Sequence, residues 1–240
     1  MRDYNREFEE TVQRKYAYDF DYLMHDYLLR EFSPQFSGDS ALELGCFEGE
    51  FTAKLTEHFS MVTVIEASSE LIEKAKIRTS SVPQFVLSTF ETANLDEKKF
   101  DAVFLMHTLE HLDEPQFVLK RIRDWLKPTG RLYVVVPNAN AISRQIAVKM
   151  GAVDYQTCVT PGEFLHGHRR TYTLDGLEHE IKQSGLRLEK SGGVFFKPFA
   201  NFQFDKMLKH SVIDAAYLDG CYELGKKYPD FCASIYAICH

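Results

Sequence analysis

Short apolar runs alternate with segments of helical spacing through the middle of the chain. The apolar runs cover residues 41–44, 61–65, 84–87, 100–106 and 131–138. Helical patterns fill residues 50–59, 69–79 and 115–126. Such alternation is typical of parallel strands joined by helical crossovers. The middle of the chain therefore predicts a doubly wound α/β sheet.

The pattern changes on both sides of this region. Residues 3–36 place aromatic and charged side chains at helical spacing, which predicts one or two amphipathic helices. Tyr16, Tyr18 and Tyr22 are candidates either for a lid or for ordinary helix packing. Beyond residue 138 we predict a helix at 174–184, sixth-strand segments at 186–189 and 194–196, aromatic helices over 199–227 and a last strand at 231–239.

The turn after the first apolar run predicts a nucleotide-type ligand site. Gly45 and Gly49 stand between a strand and a helix N-terminus. A dinucleotide fingerprint needs a further glycine where Phe47 stands, and Glu48 and Glu50 place negative charge where a pyrophosphate would bind. S-adenosylmethionine has no phosphate, and carboxylates and aromatic rings stabilise its sulfonium and ammonium groups. The turn therefore favours S-adenosylmethionine.

Glu66 closes the second apolar run, about twenty residues beyond the turn, where a carboxylate can accept hydrogen bonds from both ribose hydroxyls. Together with residues 41–51, this feature resembles the first two motifs of class I S-adenosylmethionine-dependent methyltransferases. The resemblance implies that Glu43 and Gly45 contact the methionine end of the cofactor and Glu66 its ribose. Phe47 departs from the family pattern, which usually has a glycine there.

The resemblance also implies an architecture and a set of cofactor contacts. We expect a Rossmann-like, mostly parallel sheet of seven strands with an antiparallel last strand, N-terminal helices and a helical lid. A single methyltransferase domain would span residues 1–240, with a helical cap at 1–38, a cofactor-binding core at 39–138 and an acceptor side at 139–240. The expected cofactor contacts are Glu43, Gly45, Cys46, Phe47, Gly49, Glu66, Ala67, Thr89, Phe90, Met106 and His107. Thr89 stands where the family often has an acid for the adenine amine, and Phe90 offers a backbone N–H and an apolar wall instead.

The fourth apolar run leads directly into His107, Glu110 and His111, which a helical turn would place on one face. The stretch resembles the post-cofactor motif of the same methyltransferases, especially those of ubiquinone biosynthesis and related small-molecule O-methyltransferases. The H-x-x-E-H pattern also occurs in inverted zinc peptidases, but on a longer helix. Some quinone-precursor methyltransferases are thought to hold a divalent cation with E-x-x-E-H; His107 in place of the first glutamate disfavours a hard cation. A structural pair of Glu110 and His111 is the other interpretation, and we assign no metal.

The densest group of reactive side chains lies at residues 162–173. It contains His166, His168, Arg169 and Tyr172 in a pattern that resembles the acceptor loop of small-molecule and sugar or lipid-quinone methyltransferases. For a hydroxyl acceptor, a histidine general base would add roughly 10² to 10⁴ in rate. We therefore predict His168, His111 and His107, in that order, as catalytic candidates.

Composition narrows the class of partner. A net charge of −7 argues against nucleic acid or an anionic membrane as partner, and favours a small-molecule methyl acceptor. No apolar run approaches the roughly twenty residues of a membrane span, and the N-terminus lacks the apolar core of a secretion signal. Five widely spaced cysteines favour a reduced, cytoplasmic protein, and we expect a monomer or homodimer. Cys232, Cys239 and His240 are better explained by strand packing than by a metal.

Two alternatives to a methyltransferase remain at this point. One is a non-catalytic S-adenosylmethionine-binding or regulatory protein. The other is an NAD-dependent oxidoreductase, which Phe47 and the flanking acids disfavour.

Overall fold

A seven-stranded sheet forms the centre of the computed structural model, which describes residues 18–80 and 82–240. Tyr16 and the beginning of the expected N-terminal cap lie outside the described residues. The strands are β1 (Ser40–Leu44), β2 (Met61–Glu66), β3 (Gln84–Leu87), β4 (Phe100–Met106), β5 (Leu126–Pro137), β6 (Leu188–Phe196) and β7 (Cys232–Cys239). Their order across the sheet is β3-β2-β1-β4-β5-β7-β6.

The direction of the strands brings most of their carboxyl ends to one edge. β1 to β5 pair in parallel. β7 lies antiparallel between β5 and β6, so β6 points the same way as β5. The predicted Rossmann-like sheet of seven mostly parallel strands with an antiparallel last strand is confirmed.

Helices cover both faces of this sheet. They are α1 (Asp19–Phe32), α2 (Glu50–Leu55), α3 (Ser69–Arg78), α4 (Pro115–Trp125), α5 (Ile142–Lys149), α6 (Pro161–Leu165), α7 (Leu174–Gln183), α8 (Asn201–Lys209) and α9 (Ala215–Lys227). Ser68 and Thr173 cap the helices that follow them, each accepting a backbone N–H with its hydroxyl. None of the described helices combines the length and apolarity needed to cross a membrane.

The core has two layers because successive side chains of a strand point to opposite faces. In β4, Phe104 packs with the aromatic layer below α1, whereas Val103 and Leu105 pack with α4 and α7 on the other face. In the aromatic layer, the Phe20 ring of α1 lies 4.5 Å, centroid to centroid, from that of Phe204 in α8. The leading helix is therefore fixed to the sheet through the segment that follows β6.

Glycines explain where the observed strands differ from the predicted ones. The predicted turn at 127–130 is a loop inside β5: Phe100 pairs with Leu126 and Ala102 with Arg131. β6 is continuous, whereas the sequence pattern breaks at Gly192 and Gly193. A Cβ on Gly193 would lie 2.2 Å from the Pro229 carbonyl oxygen, so this glycine permits close backbone approach rather than a turn.

The five cysteines are free and buried, in line with the prediction that they do not form disulfides. Cys232 and Cys239 lie at the two ends of β7. The thiol of Cys239 donates to the Leu132 carbonyl oxygen of the neighbouring strand, so it serves strand packing.

Candidate active site

A cavity of about 570 Å³ opens at the sheet edge where β1, β2 and β4 end. Open α/β sheets bind ligands at this edge, and small-molecule sites are usually about 300–1,000 Å³. One end of the cavity is formed by the turn after β1, and the other by imidazole and carboxyl groups after β4. The predicted cofactor contacts that line it are Glu43, Gly45, Cys46, Phe47, Glu66, Ala67, Thr89, Phe90, Met106 and His107. The predicted catalytic candidates His107, His111 and His168 line it as well.

Gly49 lies behind the cavity wall. It has a φ of +81° and occupies the N-cap of α2. A Cβ at this position would lie 2.7 Å from the Ala75 Cα atom of α3. Its observed role is thus the close packing of α2 against α3, and this packing supports the turn that lines the site.

The turn itself has a constrained backbone. Gly45, with a φ of +79°, donates its N–H to the Ile65 carbonyl oxygen at 2.9 Å. Phe47 has a φ of +48°, a left-handed conformation that is uncommon for a residue with a side chain. Strain of this kind is concentrated at ligand sites. Phe47 therefore lines the cavity from a fixed and strained position.

Two buried carboxyl groups face the cofactor end of the cavity. Glu43 is fully buried and accepts the Thr52 hydroxyl at 2.6 Å; burial raises the pKa of Glu43 to about 8, although this hydrogen bond opposes the shift. Glu66 Oε1 accepts the N–H groups of Ala67 at 2.8 Å and Ser68 at 2.9 Å, and Oε2 accepts that of Cys46 at 3.2 Å. Three backbone donors therefore fix the orientation of the Glu66 carboxylate.

The side chains after β4 converge on one carboxyl group. His107 follows the strand with a φ of +48° and lies 3.3 Å from the Ser234 hydroxyl through Nε2. Residues Leu109–His111 form a 3₁₀ turn. Glu110 is 1% exposed, and neither of its carboxyl oxygens has a hydrogen-bond partner among the residues that the structure describes. Its Oε1 lies 3.9 Å from both His107 Nδ1 and His111 Nε2, too far for hydrogen bonds.

His168 reaches the same place from the loop after α6. Its ring stands edge-on to that of His111, with 4.6 Å between the centroids. Two backbone hydrogen bonds hold the loop: Arg169 N–H donates to the Glu110 carbonyl at 2.8 Å, and His168 N–H donates to the Glu163 carbonyl at 3.0 Å. The structure therefore places this loop against the H-x-x-E-H segment.

Burial sets the protonation of this cluster. It raises the pKa of Glu110 to about 8 and lowers the pKa values of His107 and His168 to about 3 and about 4. The two imidazoles are neutral at pH 7, and the carboxyl holds a proton over part of the physiological range. One ligand atom each of Glu110, His111 and His168 lies within 4.8 Å of the others. Two imidazoles and a carboxylate form a donor set that suits Zn²⁺ or Fe²⁺ better than Mg²⁺.

Other residues of the loop at 162–173 hold it in place. Arg169 Nε donates to Asp113 at 3.2 Å, and Tyr172 is buried in a bridge to Asn138. Within residues 162–173, the side chains that line the cavity are those of His166 and His168. His25, Lys197 and Asn201, which are not among the residues predicted from sequence, also line the cavity. Their burial depends on how α1 and the segment after β6 pack, and no local motif marks them.

The sheet order, the glycine turn and the paired buried carboxyls together define an S-adenosylmethionine-dependent methyltransferase. Residues 12–191 match the model of a methyltransferase domain family, and the chain belongs to that family. The predicted membership of the class I methyltransferases is confirmed, and S-adenosylmethionine is the cofactor.

Relatives and solved structures agree with this assignment. The chain is 27% identical over 171 residues to a ubiquinone biosynthesis O-methyltransferase of Coxiella burnetii, covering 70% of this chain and 71% of that protein. A Thermotoga maritima structure described as a possible histamine N-methyltransferase has a TM-score of 0.66 at 17% identity, with 98% and 96% of the two chains covered. The N-methyltransferase NodS of Bradyrhizobium japonicum, solved with S-adenosylhomocysteine, has a TM-score of 0.59 at 18% identity, with 95% of each chain covered.

Proposed function

We propose that this methyltransferase transfers the methyl group of S-adenosylmethionine to a hydroxyl oxygen of a small organic acceptor. The observation that carries the proposal is the single cavity that joins the cofactor turn to the cluster of Glu110, His111 and His168. A relative at 27% identity that is named an O-methyltransferase supports oxygen as the acceptor atom.

In the proposed reaction, the acceptor oxygen attacks the sulfonium methyl in line, the bond from sulfur to carbon breaks, and S-adenosylhomocysteine leaves. Holding the two reactants at near-attack distance can lower the barrier by about 7 to 11 kcal/mol. The buried walls of the cavity favour this arrangement because they exclude water from the methyl group.

The proton of the acceptor hydroxyl needs a base. We propose that His168 and His111 hold the hydroxyl and that the Glu110 carboxylate receives the proton. Burial makes His168 a weak base, with a pKa of about 4, whereas Glu110 at about 8 is better matched to the task. His107 is hydrogen-bonded to Ser234 and lies next to the cofactor turn, so its ring would form one wall of the space between the two reactants.

Calorimetry with S-adenosylhomocysteine and with NADH tests the cofactor, and transfer of labelled methyl groups to a panel of phenols, alcohols and amines tests the acceptor atom. We expect Glu110→Gln and His168→Asn to lower kcat by roughly 10² to 10⁴, with unchanged affinity for S-adenosylhomocysteine. His210→Asn, an exposed histidine at the end of α8, is the matched control. Binding of NADH alone, or transfer to nitrogen only, would contradict the proposal.

Treatment with a chelator distinguishes the proposed role of Glu110 as base from metal binding by the cluster. Activity that disappears with EDTA and returns with Zn²⁺ or Mn²⁺ would assign the cluster to metal binding and overturn the role of Glu110 as base. We expect activity to be insensitive to EDTA.

We infer that the enzyme works in the cytoplasm as a monomer or homodimer, with one methyltransferase domain over residues 1–240 and no nucleic-acid partner. The net charge of −7 and the five free cysteines support this setting. Size-exclusion chromatography with light scattering measures the oligomeric state; a larger assembly would contradict it.

A further inference from the structure

Lys197 lines the cavity from a segment remote in sequence from the cofactor turn. It directly follows β6, whose carboxyl end lies at the same sheet edge as that of β4. Three strand positions separate β6 from β4, roughly 14 Å at about 4.8 Å per strand. Lys197 nevertheless lines the same cavity as His107. Its side chain therefore belongs to the acceptor side of the site.

The ammonium group of Lys197 is only partly satisfied by the protein. Nζ donates to the Asn201 side-chain oxygen and lies 5.4 Å from the centroid of the Phe20 ring. Among the residues that the structure describes, no carboxylate forms an ion pair with it. Burial lowers its pKa to about 8, although Asp21 opposes the shift. A cation that is partly removed from water in this way is costly unless an anion pairs with it.

Asp21, the acid whose charge acts on the pKa of Lys197, already has other donors. Asn201 Nδ2 donates to one of its oxygens at 2.6 Å, and the Tyr18 N–H donates to the other at 2.8 Å. Asn201 therefore stands between the ammonium and the carboxylate, and contacts both. This arrangement fixes the Lys197 side chain while leaving N–H donors for a ligand in the cavity.

Two histidines that line the cavity with Lys197 carry no charge near neutral pH. Burial lowers the pKa values of His25 and His168 to about 4, so both rings are neutral at pH 7. Of these three described side chains, the ammonium of Lys197 is therefore the one that offers an anion a positive charge.

We propose that Lys197 binds a carboxylate of the methyl acceptor, so that the substrates are small hydroxy acids. The hydroxyl would lie at the Glu110 cluster and the carboxylate at Lys197, with the carbon skeleton spanning the cavity between them. This inference rests on the proposed O-methyl transfer and deepens it. The same ammonium chemistry could serve the methionyl carboxylate of the cofactor, but β6 lies beyond β5 and β7 from the cofactor turn.

Calorimetry on the full chain loaded with S-adenosylhomocysteine tests the proposal. The probes are 4-hydroxybenzoate, 4-hydroxyphenylacetate and 3-hydroxybutanoate, each compared with its neutral amide. We expect at least one acid to bind about ten- to a hundredfold more tightly than its amide, the usual effect of a hydrogen bond to a charged group. Lys197→Met and Lys197→Gln should abolish this preference, and Lys197→Arg should retain most of it.

Lys209→Met is the matched control because it removes an exposed lysine from the neighbouring helix α8. The proposal is overturned if no acid binds the wild type better than its amide, or if the preference survives in both neutral variants. It is also overturned if these variants lose affinity for S-adenosylhomocysteine, since the ammonium then serves the cofactor. Failure of the proposed function has a different signature: no methyl transfer to oxygen, with the preference for acids intact.

Discussion

Replacing Glu110 with glutamine tests the electrostatics of the site in the ligand-free protein. The carboxyl is 1% exposed and has no hydrogen-bond partner within residues 18–80 and 82–240, and burial raises its pKa from 4.5 to about 8. Below pH 4.5 both the folded and the unfolded chain hold the proton. As the pH rises from 4.5 to about 8, the unfolded chain releases it while the folded chain retains it, so folding becomes less favourable.

The size of the effect follows from the same values. pH 7 lies 2.5 units above 4.5, the ordinary pKa of a glutamate side chain, and each unit corresponds to about 1.36 kcal/mol of free energy. The glutamate therefore lowers the free energy of unfolding by about 3 kcal/mol at pH 7, and the neutral glutamine avoids this loss. In a chain of this size we expect a rise in Tm of roughly 6 to 12 °C.

Urea titration and calorimetric melting at pH 5, 7 and 8.5, after treatment with EDTA, measure the difference between wild type and Glu110→Gln. The gain in stability should be smallest at pH 5, about 1 kcal/mol or less, and largest at pH 8.5. Glu114→Gln, an exposed residue beyond the same turn, should show no such trend. A Glu110→Gln variant that is less stable than wild type, or a gain that is independent of pH, would refute the reasoning, because the carboxyl would then have a stabilising partner in solution.

Three further changes test the cofactor turn and its support. Glu66→Gln should weaken S-adenosylhomocysteine binding about ten- to a hundredfold by calorimetry, whereas the exposed Glu70→Gln should not; equal effects would contradict the ribose contact. Gly49→Ala should lower the free energy of unfolding by at least about 1–2 kcal/mol, since φ is +81° and a Cβ would lie 2.7 Å from a Cα of the next helix; an unchanged Tm would contradict this. Burial raises the pKa of Asp101, but hydrogen bonds, led by the one from Lys127, lower it to about 2. Asp101→Asn should therefore lower the free energy of unfolding by about 1–2 kcal/mol at pH 7 and leave it unchanged below pH 2. A loss of stability that persists in acid would argue against this origin.

The cofactor half of the site can be predicted from sequence because local patterns encode it. Glu43 and Glu66 each lie at the end of an apolar run, and parallel strands bring such ends to one edge. Gly45 marks the turn between them. The sequence groups Gly49 with the cofactor contacts, whereas the structure packs it against Ala75 of α3, a partner that spacing does not identify.

The acceptor half depends on packing between distant segments. Spacing predicts a helical turn for His107 to His111, whereas the structure has a 3₁₀ turn, and the lack of hydrogen bonds to Glu110 emerges only from its surroundings. Lys197 is unremarkable in sequence. It becomes a candidate site residue because β7 places β6 beside the cavity and α1 covers the far side.

The position of β7 has a consequence for the order in which the enzyme is built. β5 and β6 do not pair with each other, and each hydrogen-bonds to β7 instead. During synthesis, β1 to β5 can assemble as soon as they leave the ribosome, whereas β6 has no sheet partner until residues 232–239 emerge. The nascent chain should therefore be able to bind the nucleoside before β6, which Lys197 directly follows, is anchored in the sheet. Arrest of translation between these two stages would yield a chain with the nucleoside site formed and the Lys197 side of the cavity still open.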